Sequence, residues 1–110
     1  MRRTAYFLVL QFAECDRELW SLAVLLFDTQ SDKLHIRCRD NLTEIARADA
    51  EVLGLLLCQL CAEADTTSGE LLLRRLEDTL SNVVRISDRV AVQIDTVPAA
   101  LDELADMYLR

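Results

Sequence analysis

Glycine, proline and histidine are scarce in this sequence, and it has no apolar run long enough to span a bilayer. Two glycines and one proline in 110 residues exclude a loop-rich or low-complexity chain, because such chains are rich in these residues. Gly54 and Gly69 are the only glycines, so there is no glycine-rich loop to bind a phosphate group. A transmembrane helix needs about 18 or more consecutive apolar residues. His35 is the only histidine and no glycine-rich nucleophile turn accompanies any serine, so we predict no enzyme activity.

The residues that are present indicate one folded, acidic domain. A chain of 110 residues that is 52% hydrophobic can bury a core of its own. Its net charge of −7 disfavours binding to nucleic acid or to anionic membranes. Arg2 and Arg3 precede a short apolar run that ends at Gln11, without the cleavage site of a secretory signal peptide. We therefore predict a cytoplasmic protein with free cysteines, no cofactor, and neither a nucleic-acid nor a membrane partner.

The segment 20–39 predicts two adjacent β-strands joined by a polar turn at 28–32. Residues 21–27 are apolar at almost every position, which is typical of a central strand covered on both faces. Residues 33–39 alternate, with apolar side chains on one face and Lys33, His35, Arg37 and Arg39 on the other. An earlier apolar run at 6–12 predicts the first strand, and a charged connection at 14–18 separates it from the second.

Helices follow these strands. Asn41 and Glu44 are spaced as a capping pair for a short helical turn. A main helix at 49–64 has apolar residues around most of its circumference, so we expect packing on two sides, by another helix or by a second subunit. Thr67 and Glu70 predict a capping box for the next helix, in which Glu70 also pairs with Arg74. The inward positions of that helix are Leu72, Leu73, Leu76 and Leu80.

The last part of the chain predicts two short strands and a final helix. Residues 83–86 and 90–94 are β-type runs that form either a hairpin or one strand after a turn. Asp95 or Thr96 caps the final helix, with Pro98 in its first turn. The predicted fold is α+β and two-layered: a mainly antiparallel sheet of four to five strands with about three helices on one face, in the order βββ-αα-β(β)-α.

Two sets of residues are candidates for a chemical or ligand site. Cys58 and Cys61 form a Cys-x-x-Cys in the middle of the main helix; we interpret them as core residues, with metal binding or redox chemistry as alternatives. Lys33, His35, Arg37 and Arg39 form a basic stripe that suits an anionic small ligand or an acidic peptide, while a solvated, charge-protected edge strand is the simpler interpretation. The stripe lacks the aromatic residues of RNA-binding sheets.

A third set predicts self-association. The second face of the central strand and the excess apolar surface of the main helix both need a cover, and surfaces of this kind usually mark interfaces. The candidate interface residues are Trp20, Ala23, Leu25, Phe27, Val52 and Leu55. We therefore predict a small non-enzymatic interaction or assembly module, homodimeric or bound to another protein partner, with anionic-ligand binding on the basic stripe as the alternative.

Residues 17–23 resemble a motif of an uncharacterised bacterial domain family. Its members have Gly-Glu-x-x-Asn-x-Gly between a charged loop and an apolar strand. Glu18 and the following strand match the motif, whereas Arg17, Ser21 and Ala23 stand where the family has Gly, Asn and Gly. The resemblance implies a similar order of a further strand and two helices over most of the chain. It implies no activity, because none is established for the family.

Overall fold

The computed structural model describes residues 2–13, 19–40, 50–79 and 84–109. The predicted charged connection at 14–18, the helical turn at 41–44 and the inward position Leu80 lie outside these residues. The order of strands and helices agrees with the prediction. The elements are β1 (Arg3–Ala13), β2 (Leu19–Asp28), β3 (Lys33–Cys38), α1 (Ala50–Thr66), α2 (Gly69–Thr79), β4 (Val84–Ile86), β5 (Val90–Ile94) and α3 (Val97–Tyr108).

The five strands form one antiparallel sheet, which confirms the predicted α+β class. β2 lies between β3 and β1, and both β4 and β5 pair with the other edge of β1. β5 pairs with residues 3–7 of β1, and β4 pairs with residues 10–12. β4 and β5 thus lie end to end along one edge rather than pairing with each other as a hairpin. The long β1 strand is the reason, because it offers both short strands an unpaired edge.

Ser87 maintains the hydrogen bonding where β4 ends and β5 has not yet begun. Its backbone N–H donates to the Val9 carbonyl at 3.0 Å. Its side-chain hydroxyl accepts a hydrogen bond from the Val9 N–H at 2.8 Å, in place of a backbone carbonyl. Val9 is only 4% exposed, and a buried backbone N–H needs a partner. The interruption in the edge strand therefore leaves no unsatisfied donor on Val9.

The sheet is covered on both faces, so the prediction of two layers with all helices on one face is wrong. α1 and α2 pack on the face that carries Ala23, Leu25 and Phe27. α3 packs on the opposite face, against Val24 and Leu26. β2 carries apolar side chains on both faces of the sheet, and each face must be covered by another part of the chain to be removed from water. The C-terminal helix covers the second row, which gives three layers.

Asp28 is a buried carboxylate at the end of β2. It is 4% exposed and accepts two hydrogen bonds from Arg3, at 3.2 and 2.9 Å. Burial by itself raises the pKa of Asp28, but the Arg3 guanidinium, the Gln30 N–H and the Ser31 hydroxyl outweigh it and hold the pKa below its ordinary value. The 28–32 turn is thereby tied to the start of β1.

The same turn caps helix α2. Asp32 has a positive φ of 53°, and its backbone and side-chain oxygens accept hydrogen bonds from Gly69 N at 2.9 Å, Glu70 N at 3.2 Å and Ser68 Oγ at 2.6 Å. The predicted capping box is therefore wrong, because a carboxylate from the β2–β3 turn satisfies the N–H of Glu70.

The Glu70 side chain forms ion pairs instead of capping its own helix. It contacts Arg74 at 3.1 Å, which confirms the predicted pair within α2, and Arg89 at 3.0 Å. The hydrogen bond from Arg89 is the main reason why the pKa of Glu70 lies below its usual value. α2 is thus linked to the segment between β4 and β5.

The final helix begins as one of the two sequence alternatives predicts. Thr96 is the capping residue, and its hydroxyl accepts a hydrogen bond from the Ala99 N–H at 3.4 Å. Pro98 lies in the first turn of the helix. Backbone N–H groups in this turn have no carbonyl partner within the helix, so proline loses no hydrogen bond there. Among the described residues, no helix is long and apolar enough to cross a membrane.

Candidate functional site

Helix α1 buries one side on the sheet and exposes apolar residues on the other. Leu53, Leu57, Leu60 and Ala64 face the core. Val52 and Leu55, one turn apart, are each 67% exposed. We predicted packing on two sides of this helix, by another helix or by a second subunit, but the described part of the chain leaves the side with Val52 and Leu55 uncovered. Two of the six predicted interface residues lie on this surface.

The exposed side of α1 is uncharged over about three turns. We call Val52, Leu55, Cys58 and Ala62 the α1 outer face; all four are exposed and spaced three or four residues apart. No lysine or arginine occurs in the helix, and no acidic residue occurs from position 52 to 62. A solvated helix surface normally carries charged residues. The α1 outer face therefore resembles the centre of an interface more than a free surface, since interface centres are depleted of charge.

The predicted interface residues on β2 lie in the core instead. Ala23 and Leu25 are fully buried and Phe27 is 5% exposed, since α1 and α2 cover them. Trp20 is partly buried against the same cluster, with the guanidinium carbon of Arg39 at 6.0 Å from its ring centre. Ala23, Leu25 and Phe27 are therefore not available to a second subunit in the folded chain, whereas Trp20 is only partly covered.

The basic stripe is only partly exposed to solvent, because two of its residues have partners within the chain. Arg37 forms an ion pair with Asp102 of α3 at 2.8 Å. Arg39 is 8% exposed, and its Nε donates to the Ser21 carbonyl at 2.6 Å. Lys33 is exposed and His35 is partly buried. The four predicted ligand-binding residues therefore do not form one open cationic surface, because two of them have partners within the chain. An acidic final helix is the sequence signal that would have indicated this.

Three cysteines line one open cleft between the end of β3 and α1. Cys38, Cys58 and Cys61 border a volume of about 370 Å³, together with Arg39, Gly54 and Leu57. Cys38 and Cys61 are close, with a distance of 4.0 Å between their sulfur atoms. Burial, which is the largest cause, and the neighbouring Cys61 and Cys58 together raise the pKa of Cys38 to about 12. We call this group the thiol cleft.

The thiol cleft corrects the interpretation of the Cys-x-x-Cys pair. Cys58 is exposed and Cys61 is half-buried, so the prediction that both are core residues is wrong for Cys58. Sequence reasoning missed the partner of Cys61, which is Cys38 on β3. The signal was the alternation that puts Cys38 on the same face as Leu34 and Ile36, facing the helices. Within the described ranges, no group of three or more histidine, cysteine or acidic side chains is arranged to hold a metal ion.

No known family model matches the chain, and no curated protein or solved structure is significantly similar to it. The resemblance of residues 17–23 to the bacterial family therefore stays a prediction. Among the surfaces that the described residues present, the α1 outer face combines exposed apolar side chains with an absence of charge from position 52 to 62.

Proposed function

We propose that this chain is a small, non-enzymatic, cytoplasmic interaction module that self-associates through the α1 outer face. The observation that carries the proposal is the exposure of Val52 and Leu55 on a helix side without any charge from position 52 to 62. Burying apolar surface that is now in water is the main driving force of association. In a symmetric dimer a second copy of the chain presents the same surface, so each contact across the interface occurs twice.

The first two turns of α1 are the centre of the proposed contact. When two α1 helices cross near Val52 and Leu55, the side chains of one copy pack beside those of the other. Asp65, near the far end of the helix, then stays in solvent. Full burial of a valine or leucine is worth about 1.5–3 kcal/mol relative to exposure, so these residues are suited to be the energetic centre of the interface.

Salt dependence distinguishes this interface from one based on charge. Two copies each carry a net charge of −7, and their repulsion is screened as the salt concentration rises. We expect the dimer to become stronger, or at least not weaker, in high salt. An interface formed by the basic stripe and an acidic surface would weaken under the same conditions.

The alternative function, binding of an anionic ligand or an acidic peptide to the basic stripe, has less support. Arg37 and Arg39 both have partners inside the chain. An external anion would have to displace Asp102 from Arg37. This function becomes the better candidate only if the α1 outer face proves to have no binding role.

The test is light scattering across a concentration series, with two matched variants. The wild-type mass should rise towards two chains with concentration. Leu55→Glu places a charge on the α1 outer face and should give a folded monomer, as judged by an unchanged circular dichroism spectrum. Met107→Glu is the control, since Met107 is 69% exposed but lies on α3, on the other side of the sheet. A wild-type chain that stays monomeric, or a Leu55→Glu variant that still dimerises, would contradict the proposal.

A further inference from the structure

The thiol cleft brings together two cysteines from different layers of the fold. Cys38 is the last residue of β3, and Cys61 lies in the fourth turn of α1. Their sulfur atoms are 4.0 Å apart. The thiol cleft is open to solvent on one side, and Cys58 lies at its exposed margin. The proposed self-association does not involve the sulfur atoms of Cys38 and Cys61.

We propose that Cys38 and Cys61 are an oxidant-responsive pair that forms a reversible disulfide between β3 and α1. The sulfur atoms of a disulfide are about 2.05 Å apart, so they have to approach by roughly 2 Å. Rotation about the Cα–Cβ bonds supplies a movement of this size. The open thiol cleft gives both side chains room to rotate.

Within the pair, Cys61 rather than Cys38 is the thiol that reacts with an oxidant such as hydrogen peroxide. Burial raises the pKa of Cys38, so Cys38 stays protonated and is the poorer nucleophile. The Cys61 thiolate attacks one peroxide oxygen, the O–O bond breaks, and the hydroxide that leaves is protonated to water. Cys61 is then a sulfenic acid.

Cys38 completes the reaction within the same chain. Its sulfur attacks the sulfur of the Cys61 sulfenic acid, the S–O bond breaks, and the S–S bond forms. The departing hydroxide takes the proton of Cys38 and leaves as a second water. Overall, two thiols and one peroxide give one disulfide and two waters, and the two electrons that reduce the peroxide come from the two sulfur atoms.

The disulfide would fix α1 to the end of β3 and close the chain between positions 38 and 61 into a loop. Closing a loop of this size lowers the entropy of the unfolded chain. We expect the oxidised protein to melt about 10 °C higher than the reduced protein. A thiol reductant should return the melting temperature to its original value.

The test treats the full chain with one equivalent of hydrogen peroxide and maps its disulfides by mass spectrometry without reduction. The expected product is a Cys38–Cys61 cross-link, with two of the four cysteines still open to alkylation. Cys58→Ala should form the same cross-link, because it removes only the exposed thiol of the cleft. Cys61→Ala should lose both the cross-link and the rise in melting temperature.

Cys38→Ala keeps the test valid if Cys61→Ala does not fold, since either substitution removes the pair. A Cys58–Cys61 cross-link, a disulfide between two chains, or oxidation that stops at single sulfinic acids would overturn the proposal. A chain that remains fully reduced would do so as well. Self-association is tested separately, by light scattering on the reduced protein, so failure of the disulfide proposal and failure of the dimer proposal can be told apart.

Discussion

Of the two glycines, Gly69 is the one at which an added methyl group should destabilise the fold. It is the first residue of α2 and packs against the β2–β3 hairpin. A Cβ at this position would lie 2.8 and 2.9 Å from two ring carbons of Phe27, and 3.0 Å from the backbone carbonyl carbon of Lys33. Carbon atoms in favourable contact are about 3.5–4.0 Å apart. Gly69→Ala therefore overlaps three atoms at once.

The neighbours of Gly69 cannot easily move aside. Phe27 is 5% exposed, so its ring has little free space, and the third atom belongs to the backbone. Moving α2 away instead would strain the hydrogen bond from Gly69 N to Asp32 O, now 2.9 Å. Overpacking of this kind costs about 1–3 kcal/mol. Alanine stabilises the helical state relative to glycine, and this gain offsets part of the overpacking cost. We therefore expect a net loss of about 2 kcal/mol in the free energy of unfolding.

Gly54 provides a control with the same chemical change. It lies in the middle of α1, and an added Cβ meets no atom within 4 Å. Gly54→Ala should therefore gain up to about 1 kcal/mol from helix propensity alone. The two variants should differ by about 3 kcal/mol, or roughly 15 °C in melting temperature for a domain of this size.

The assay is urea unfolding followed by circular dichroism, with both variants and the wild type at one protein concentration. A fixed concentration is needed because self-association would add to the apparent stability. The reasoning is refuted if Gly69→Ala is as stable as the wild type, or if both substitutions shift the midpoint in the same direction.

Further predictions concern three polar contacts. Asp28→Asn should cost about 2 kcal/mol at neutral pH. The pKa of Asp28 is lower in the folded than in the unfolded chain, so its carboxylate stabilises the fold at neutral pH and this stability is lost as the pH falls below about 4. The Asp28→Asn variant should therefore lose less stability than the wild type over this acid range. An equal loss in both proteins would count against this. Ser87→Ala leaves the Val9 N–H without its acceptor and should cost about 1–2 kcal/mol in urea unfolding, while Ser87→Thr should retain most of the stability. A double-mutant cycle on Arg37 and Asp102, 42% and 68% exposed, should give at most about 1 kcal/mol of coupling, decreasing with salt; a larger, salt-independent value would show a different contact.

Local patterns in the sequence predicted the elements well. The two apolar rows of β2 identified a central strand, and the alternation in β3 separated an apolar face from a basic face. Thr96 and Pro98 marked the start of the final helix. These features depend on residues close together in the chain, because side-chain periodicity and capping are local properties.

The candidate site was only partly predictable. The excess apolar surface of α1 pointed to Val52 and Leu55, which are exposed. The same reasoning assigned Leu25 and Phe27 to an interface, although the chain buries them itself. Periodicity shows that a face must be covered, but it does not show whether another part of the chain or a second subunit covers it.

The sequence by itself determined the class of the fold, the order of its elements and the apolar faces that each presents, since these follow from residue type and local spacing. Only the tertiary structure decided that α3 covers the second face of the sheet, that Asp32 caps α2, and that Cys38 meets Cys61. Each of these contacts joins residues from separate elements. Their distances depend on how the layers pack, which is a property of the whole chain rather than of any one segment.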